Sequence, residues 1–309
     1  MELTYHTLDV FTDRTFGGNP LAVFPEAGEL GERAMQKIAR EMSLSETVFL
    51  SPPRSAQGTR RVRIFTPAME LPFAGHPTVG TAYLLAATGA VDLSDGDTSI
   101  VLEEGVGHVP VEVKVEGGRP VSTRLTTAVA PERRPAPYAP AELARLLSLP
   151  EGAVGGDGLE AEFVSFGTPF LVVPLRDLQA ARRSRLDLAV WERLLGDAWS
   201  RKVYLVSREA EGEGVDLHVR MYAPGAGIAE DPATGGAAVL LGPYLGERQG
   251  TRDGTLSWRV EQGLEMGRPS LLEVEADLEG GRALRARVGG RSVLVSRGTM
   301  TVPDELAQD

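Results

Sequence analysis

Three ionisable side chains stand in contexts that suit proton transfer: Glu46, His76 and Asp231. In Leu44-Ser45-Glu46-Thr47-Val48-Phe49-Leu50 a period of two puts Glu46 on the same strand face as Leu44, Val48 and Leu50. A carboxylate on an apolar face loses water, which raises its pKa and suits it to giving and taking a proton near neutrality. The competing account is an edge strand whose face meets solvent. His76 and Asp231 each precede a Pro at the start of a run of small and apolar residues, where Asp is equally a helix N-cap and His equally a core side chain bonded to a carbonyl. Gly75, Gly80, Gly235 and Gly236 stand at the same two starts and leave backbone N–H groups uncovered for an anion; they serve close packing equally well. Asn19, the single Asn of the chain, lies in Phe16-Gly17-Gly18-Asn19-Pro20 and either hydrogen-bonds a substrate or fixes a turn before Pro.

The elements that position these residues recur. Gly18-Asn19-Pro20-Leu21-Ala22-Val23-Phe24 returns as Gly167-Thr168-Pro169-Phe170-Leu171-Val172-Val173. Arg63-Ile64-Phe65-Thr66-Pro67 returns as Arg220-Met221-Tyr222-Ala223-Pro224, and His76-Pro77-Thr78-Val79-Gly80-Thr81-Ala82 as Asp231-Pro232-Ala233-Thr234-Gly235-Gly236-Ala237. Three matches in one order, spaced by about 150 residues, predict two homologous halves, 1–129 and 130–309, with the last strand near 291–309 free to pack back onto the first. Ala130–Pro140, rich in Pro and Arg, reads as the linker between them. Val109–Val115, Leu271–Glu275 and Ser292–Val295 alternate as strands, with Gly289-Gly290 placed as a hairpin turn.

Amphipathic helices are predicted over Glu29–Met42, Ala141–Leu147 and Leu186–Leu195. Pro77–Ala87 and Pro232–Leu241 are apolar or small on every side and predict one buried central helix per half, each with Pro at its first position. Gly242-Pro243 should end or kink the second. The fold class is therefore α+β: two similar halves, each a curled, mostly antiparallel sheet around a helix, related by a pseudo-two-fold axis that would bring His76 and Asp231 face to face.

Composition removes other chemistries. The 309 residues contain no Cys, so thiolate nucleophiles, disulfides and Cys metal sites are out. The net charge of −11 argues against nucleic acid and anionic membrane surfaces as partners, yet leaves a small anionic substrate possible at the helix starts. No basic segment followed by an apolar core opens the chain, and no apolar run is long enough to span a bilayer, so a cytoplasmic protein is expected. The sequence has no nucleophile elbow, Walker loop, His-Glu-x-x-His or dinucleotide fingerprint, and its four His lack metal-ligand spacing, so no metal site is expected.

Asp9-Val10-Phe11-Thr12, Gly18-Asn19-Pro20-Leu21-Ala22-Val23, Leu44-Ser45-Glu46-Thr47-Val48-Phe49, Arg63-Ile64-Phe65-Thr66-Pro67, Gly75-His76-Pro77-Thr78-Val79-Gly80 and Glu230-Asp231-Pro232-Ala233-Thr234-Gly235 together resemble the PhzF-like phenazine-biosynthesis isomerase family over nearly the whole chain. The resemblance implies a diaminopimelate-epimerase-like fold with the site between the halves, a cofactor-free isomerase, and a homodimer. It assigns catalysis to Glu46, His76 and Asp231, with Glu46 moving a proton along a dihydro-3-hydroxyanthranilate ring. Asn19, Gly75, Gly235 and Gly236 are the candidate substrate contacts. The chain departs from that family at Gly236, five residues after the aspartate, where the phenazine enzyme has a serine; the hydroxyl is lost but the backbone N–H remains. Related thiol-based epimerases of this fold use two cysteines, which this chain lacks. The leading expectation is an isomerase acting on a small carboxylate-bearing or cyclic substrate. The alternatives are an anion-binding protein with its chemistry lost, and a lyase or hydrolase using the same acid–base residues.

Overall fold

The structure, a computed structural model, describes residues 1–28, 30–127 and 130–307. The expected helix start at Glu29 and the expected boundary at Val129 lie outside the described residues. The architecture is α+β: long strands and few helices, in two compact units, residues 1–126 with 289–309 and residues 127–288.

In the first unit, β1 (Glu2–Val10) lies antiparallel to both β2 (Asn19–Phe24) and the returning strand β18 (Ser292–Thr301). Next, β2 runs parallel to β3 (Glu46–Ser51), which is antiparallel to β4 (Arg60–Phe65). The short β5 (Glu70–Leu71) folds back on β4, and β6 (Gly96–Glu104), β7 (Gly107–Glu116) and β8 (Arg119–Thr126) form an antiparallel meander joined to β4 through β6. Two helices cover opposite faces. The amphipathic α1 (Glu32–Met42) buries Ala34, Met35, Ile38 and Ala39 against Phe24, Phe49 and Phe65. On the other face, α2 (Gly75–Ala87) carries no Asp, Glu, Lys or Arg and, apart from His76 and Tyr83, is built of small and apolar residues; it is buried nearly all round, as that composition requires. With a helix on each face, β3 is buried from Glu46 through Leu50, so it is an interior strand and not the half-wet edge that was the alternative.

The second unit repeats this connectivity. Strand β9 (Glu132–Pro135) pairs with β10 (Glu162–Ser165), and β10 with β11 (Pro169–Pro174). Then β11 runs parallel to β12 (Val203–Ser207), β12 antiparallel to β13 (Leu217–Ala223), and the short β14 (Ile228–Asp231) folds back on β13. From there β13 joins, in parallel, β15 (Gly254–Gln262), which leads to β16 (Ser270–Glu279) and β17 (Arg282–Gly290). Helices α3 (Pro140–Leu146), α4 (Leu178–Arg183) and α5 (Leu188–Leu195) pack Leu143, Leu146, Ala181, Trp191 and Leu195 into one apolar core.

Four expectations are corrected. Ala130–Pro140 is not a linker: it contains β9, whose backbone pairs with β10 from Glu132 to Pro135. Gly289-Gly290 makes no turn but ends β17, where Gly289 serves close packing, since a Cβ on it would stand 2.5 Å from the Thr123 carbonyl; the hairpin turn falls at Gly280-Gly281, φ 59° and 82°. Helix α2 starts at Gly75, so Pro77 is its third residue, a place where the missing N–H is still harmless. The second buried helix is short: α6 is Gly235–Ala238, followed by a wide, π-type turn at Gly242–Gly246 where Pro243 cannot donate. Pro232 therefore precedes the helix and does not start it.

Gly18 (φ 60°) is the tightest backbone near Asn19, since a Cβ there would lie 2.3 Å from the Val10 carbonyl oxygen. Gly89 (φ 71°) has nothing within 4 Å. Gly89→Ala should therefore show only the left-handed cost of roughly 1–2 kcal/mol. Gly18→Ala should lower Tm clearly further in thermal unfolding, and equal losses would contradict the close-packed reading.

Candidate active site

Glu46 is the first residue of β3 and stands opposite Leu21 across the parallel pair with β2. Phe49 points into the α1 core, so Glu46, Val48 and Leu50 share the opposite face, toward α2. Leu44 does not share it: the chain leaves α1 through Ser43 in a left-handed cap and enters the strand only at Glu46. His76, second residue of α2, places Nε2 3.6 Å from Glu46 Oε2, with side-chain exposures of 5% and 10%. Behind the ring, Asn19 Nδ2 lies 3.3 Å from His76 Nδ1, and Asn19 is fully buried. Gly75 opens the same helix turn, and α-helix geometry gives the Gly75 and His76 N–H groups no intrahelical acceptor. Glu46, His76, Asn19 and Gly75 are thus one group in the first unit.

The protonation state of the ring follows from its neighbours. Burial pushes the His76 pKa down from 6.5 to about 3. In this orientation of the Asn19 amide, Nδ1 accepts a hydrogen bond, which an imidazolium could not do. The proton of the neutral ring therefore sits on Nε2, facing Glu46.

Asp9 supports the group from behind. It is a buried carboxylate on β1, and its Oδ2 accepts the Phe16 N–H at 2.7 Å, which ties down the loop leading to Gly18 and Asn19. Phe16 is held there at φ 69°, a strained conformation for a side-chain-bearing residue.

In the second unit Asp231 ends β14 and is not a helix N-cap; Thr234 holds that position. The segment is kept extended by Gln262, whose Nε2 donates to the Asp231 carbonyl at 2.8 Å and whose Oε1 accepts the Thr234 N–H at 3.1 Å. The Thr234 hydroxyl donates to Asp231 Oδ2 at 2.5 Å. Tyr204 on β12 lies in register with Met221, and Met221 with Asp231, so Tyr204 and Asp231 share a face. Burial first, and the Asp231 charge second, keep its phenol protonated well above the ordinary range. Gly235 and Gly236 form the first turn of α6; a Cβ on Gly236 would meet nothing within 4 Å, so the position where the phenazine enzyme has serine is open space.

Two clamps that the motif reading quoted without assigning a role tie the return hairpin of each unit together. Arg63 on β4 holds Glu70 on β5 through two bonds of 2.6 Å, and Arg220 on β13 holds Glu230 on β14 at 2.8 and 2.9 Å. Each occupies the equivalent place in the repeated Arg-x-aromatic-x-Pro motif. Beside Arg220, buried His218 bonds Glu261 at 2.8 Å and Glu265 at 3.0 Å. Burial alone would lower the His218 pKa, but the two carboxylates together outweigh it and raise it to about 9. A cavity of about 270 Å³ in the first unit, lined by His6, Arg60, Leu84 and Arg297 among others, lies at the C-terminal end of α2 and includes none of the candidate residues. Among the described residues no three His, Asp or Glu side chains are grouped to hold a metal, and no helix is long and apolar enough to cross a membrane.

With this geometry in hand, the comparison with known proteins is specific. The family model for phenazine biosynthesis-like proteins matches residues 8–298. The Mesorhizobium japonicum protein named as the uncharacterized isomerase mll1393 is 38% identical over 301 residues, covering 96% of this chain and 98% of its own. The trans-2,3-dihydro-3-hydroxyanthranilate isomerase of Pseudomonas aeruginosa is 33% identical over 299 residues, covering 95% and 98%. The crystal structure of a PhzF-family phenazine biosynthesis protein of Bacillus anthracis superposes with a TM-score of 0.88 at 26% identity, covering 98% of this chain and 100% of that one. The chain belongs to the PhzF-like phenazine biosynthesis family and is an isomerase of that family.

Because the folded pKa of His76 is depressed, its contribution to stability is complete above about 6.5 and is lost as the pH falls toward about 3. Thermal unfolding of wild type and His76→Gln from about pH 7 to about pH 4 should give curves that converge on acidification, as wild type loses what the variant never had. Parallel curves would contradict a buried neutral His76.

Proposed function

We propose that this protein moves a proton between carbons of a small cyclic or carboxylate-bearing substrate, without a cofactor, by acid–base catalysis centred on Glu46. The observation that carries this reading is the buried Glu46 carboxylate facing the Nε2–H of a neutral His76 at 3.6 Å. Glu46 takes a proton from one carbon, the electron pair passes into the conjugated system of the substrate, and the Glu46 carboxyl, after exchange with solvent, returns a proton at another carbon. No electrons are gained or lost overall, so the reaction requires no redox partner. The Nε2–H of His76 and the first-turn N–H groups of α2 favour negative charge at an oxygen of the substrate, helped by the dipole of a fully formed helix. Asp231, held by Thr234 and Gln262, orients the substrate.

The trans-2,3-dihydro-3-hydroxyanthranilate of the named Pseudomonas relatives is the first substrate to test. Incubated with it in D₂O, the protein should introduce deuterium at carbon. Glu46→Gln should retain the fold and lose turnover by about 10²–10⁴-fold, the usual contribution of a general acid–base. Near-wild-type turnover in that variant would overturn the assignment. Binding without exchange in wild type would favour the second reading, an anion-binding protein, to which the missing hydroxyl at Gly236 lends support. Gly236→Ser has room for its side chain; it should fold with unchanged Tm and raise turnover of this substrate if that hydroxyl is what the chain lacks.

A further inference from the structure

Glu104 ends β6 and is buried at 8% exposure, outside the group formed by Glu46 and His76. Its Oε1 lies 2.6 Å from the Thr78 hydroxyl oxygen in the first turns of α2. That same hydroxyl oxygen lies 2.7 Å from the Ala74 carbonyl, which also accepts the Thr78 N–H at 3.2 Å. A threonine hydroxyl has one proton, and here it stands between two acceptors. If Thr78 donates to Ala74, the common back-bond of a helical threonine, the 2.6 Å contact needs a proton from Glu104. The second oxygen of the carboxyl, Oε2, is buried and has no hydrogen-bond partner among the described residues. An ionised carboxylate there would keep charge on an unsolvated oxygen, whereas a protonated carboxyl leaves only a carbonyl.

The surroundings tie this carboxyl to the entrance of α2. Gly105 is pressed on Pro72, where a Cβ would lie 2.7 Å from the proline Cα, and the Val106 N–H donates to the Pro72 carbonyl at 3.2 Å. Pro72 to Ala74 is the segment that enters α2 just before Gly75 and His76. We propose that Glu104 is a positioning residue that keeps its proton at neutral pH and donates it to Thr78, so that a neutral carboxyl holds the turn carrying His76, and loss of that proton loosens the turn as the pH rises.

The shift of the group agrees: burial, opposed only by the Thr78 hydrogen bond, raises its pKa to about 8. The charged and titratable groups on the neighbouring elements are Asp97 and Glu103 on β6, His108, Glu112, Lys114 and Glu116 on β7, Arg60, Arg61 and Arg63 on β4, Glu70 on β5, and His76 and Tyr83 on α2. None of them adds to that shift. With the folded pKa raised, the contribution of Glu104 is complete below about 4.5 and lost as the pH rises through about 8. His218, raised to about 9, also weakens the fold on the alkaline side, but it is common to wild type and variant and cancels in their difference.

The test compares wild type with Glu104→Gln, whose amide can still donate to Thr78 and cannot ionise. Infrared spectra at neutral pH should show the carbonyl stretch of a buried protonated carboxyl in wild type that disappears in the variant. Tm of wild type should fall relative to the variant by several degrees between about pH 6 and about pH 9. Over the same range, amide hydrogen exchange at Thr78 should accelerate more in wild type than in the variant. No carboxyl band in wild type, parallel Tm curves, or equal exchange at Thr78 would each overturn the proposal, and none of these readouts depends on the reaction assigned to Glu46.

Discussion

The exclusion of water from around Glu46, His76 and Asn19 is the constraint on which the first unit is built. A carboxylate and an imidazole can be buried together only if their polar atoms find partners or lose their charge. The fold meets this by stacking β2, β3 and α2 so closely that Asn19 reaches Nδ1 and Glu46 faces Nε2. The apolar, small-residue character of α2 follows from the same constraint. At Gly80 there is no room even for one added carbon, since a Cβ there would lie 2.6 Å from Val10 and 2.7 Å from Leu21.

The two units show how one strand plan carries different chemistry. Both have a parallel pair, a return hairpin closed by an Arg–Glu clamp, and a turn of small residues after it. In the first, His76 lies inside a long helix. In the second, Gln262 ties the backbone at Asp231 and Thr234, so Asp231 stays on a strand end and the helix is only Gly235–Ala238. The clamp of the second unit is also the more deeply set, with Arg220 buried and His218 bonded to two carboxylates next to it. The Asp231 side is thus held by a dense set of polar contacts, whereas the His76 side combines apolar packing of α2 with fewer polar ties, those of Asn19, Asp9 and Glu104.

Much of this was legible in the residues. Period-two spacing placed Glu46 with Val48 and Leu50, and the even distribution of small residues marked Pro77–Ala87 as buried. The α+β class and the family followed from motifs that the comparisons bear out. What escaped depended on partners far apart in sequence. Nothing local announces that Gln262 will bond Asp231, that Thr123 will approach Gly289, or that Thr78 will meet Glu104. Glu104 follows Glu103 in an ordinary-looking acidic pair, and only the burial of one and the exposed-loop contacts of the other separate them. Asp9, Arg63 and Arg220 stood inside quoted motifs, but their partners Phe16, Glu70 and Glu230 are fixed only by the folded hairpins and loop.

The central claim is that His76 is a neutral ring with its proton on Nε2, held between Asn19 and Glu46. Nitrogen-15 NMR of histidine-labelled protein tests it directly, with His76 assigned by its loss in His76→Gln among four histidines. The account predicts an unprotonated Nδ1 and a protonated Nε2 that do not titrate from about pH 8 down to about pH 5. A His76 that takes up a second proton near its ordinary value of about 6.5, or that carries its single proton on Nδ1, would contradict it.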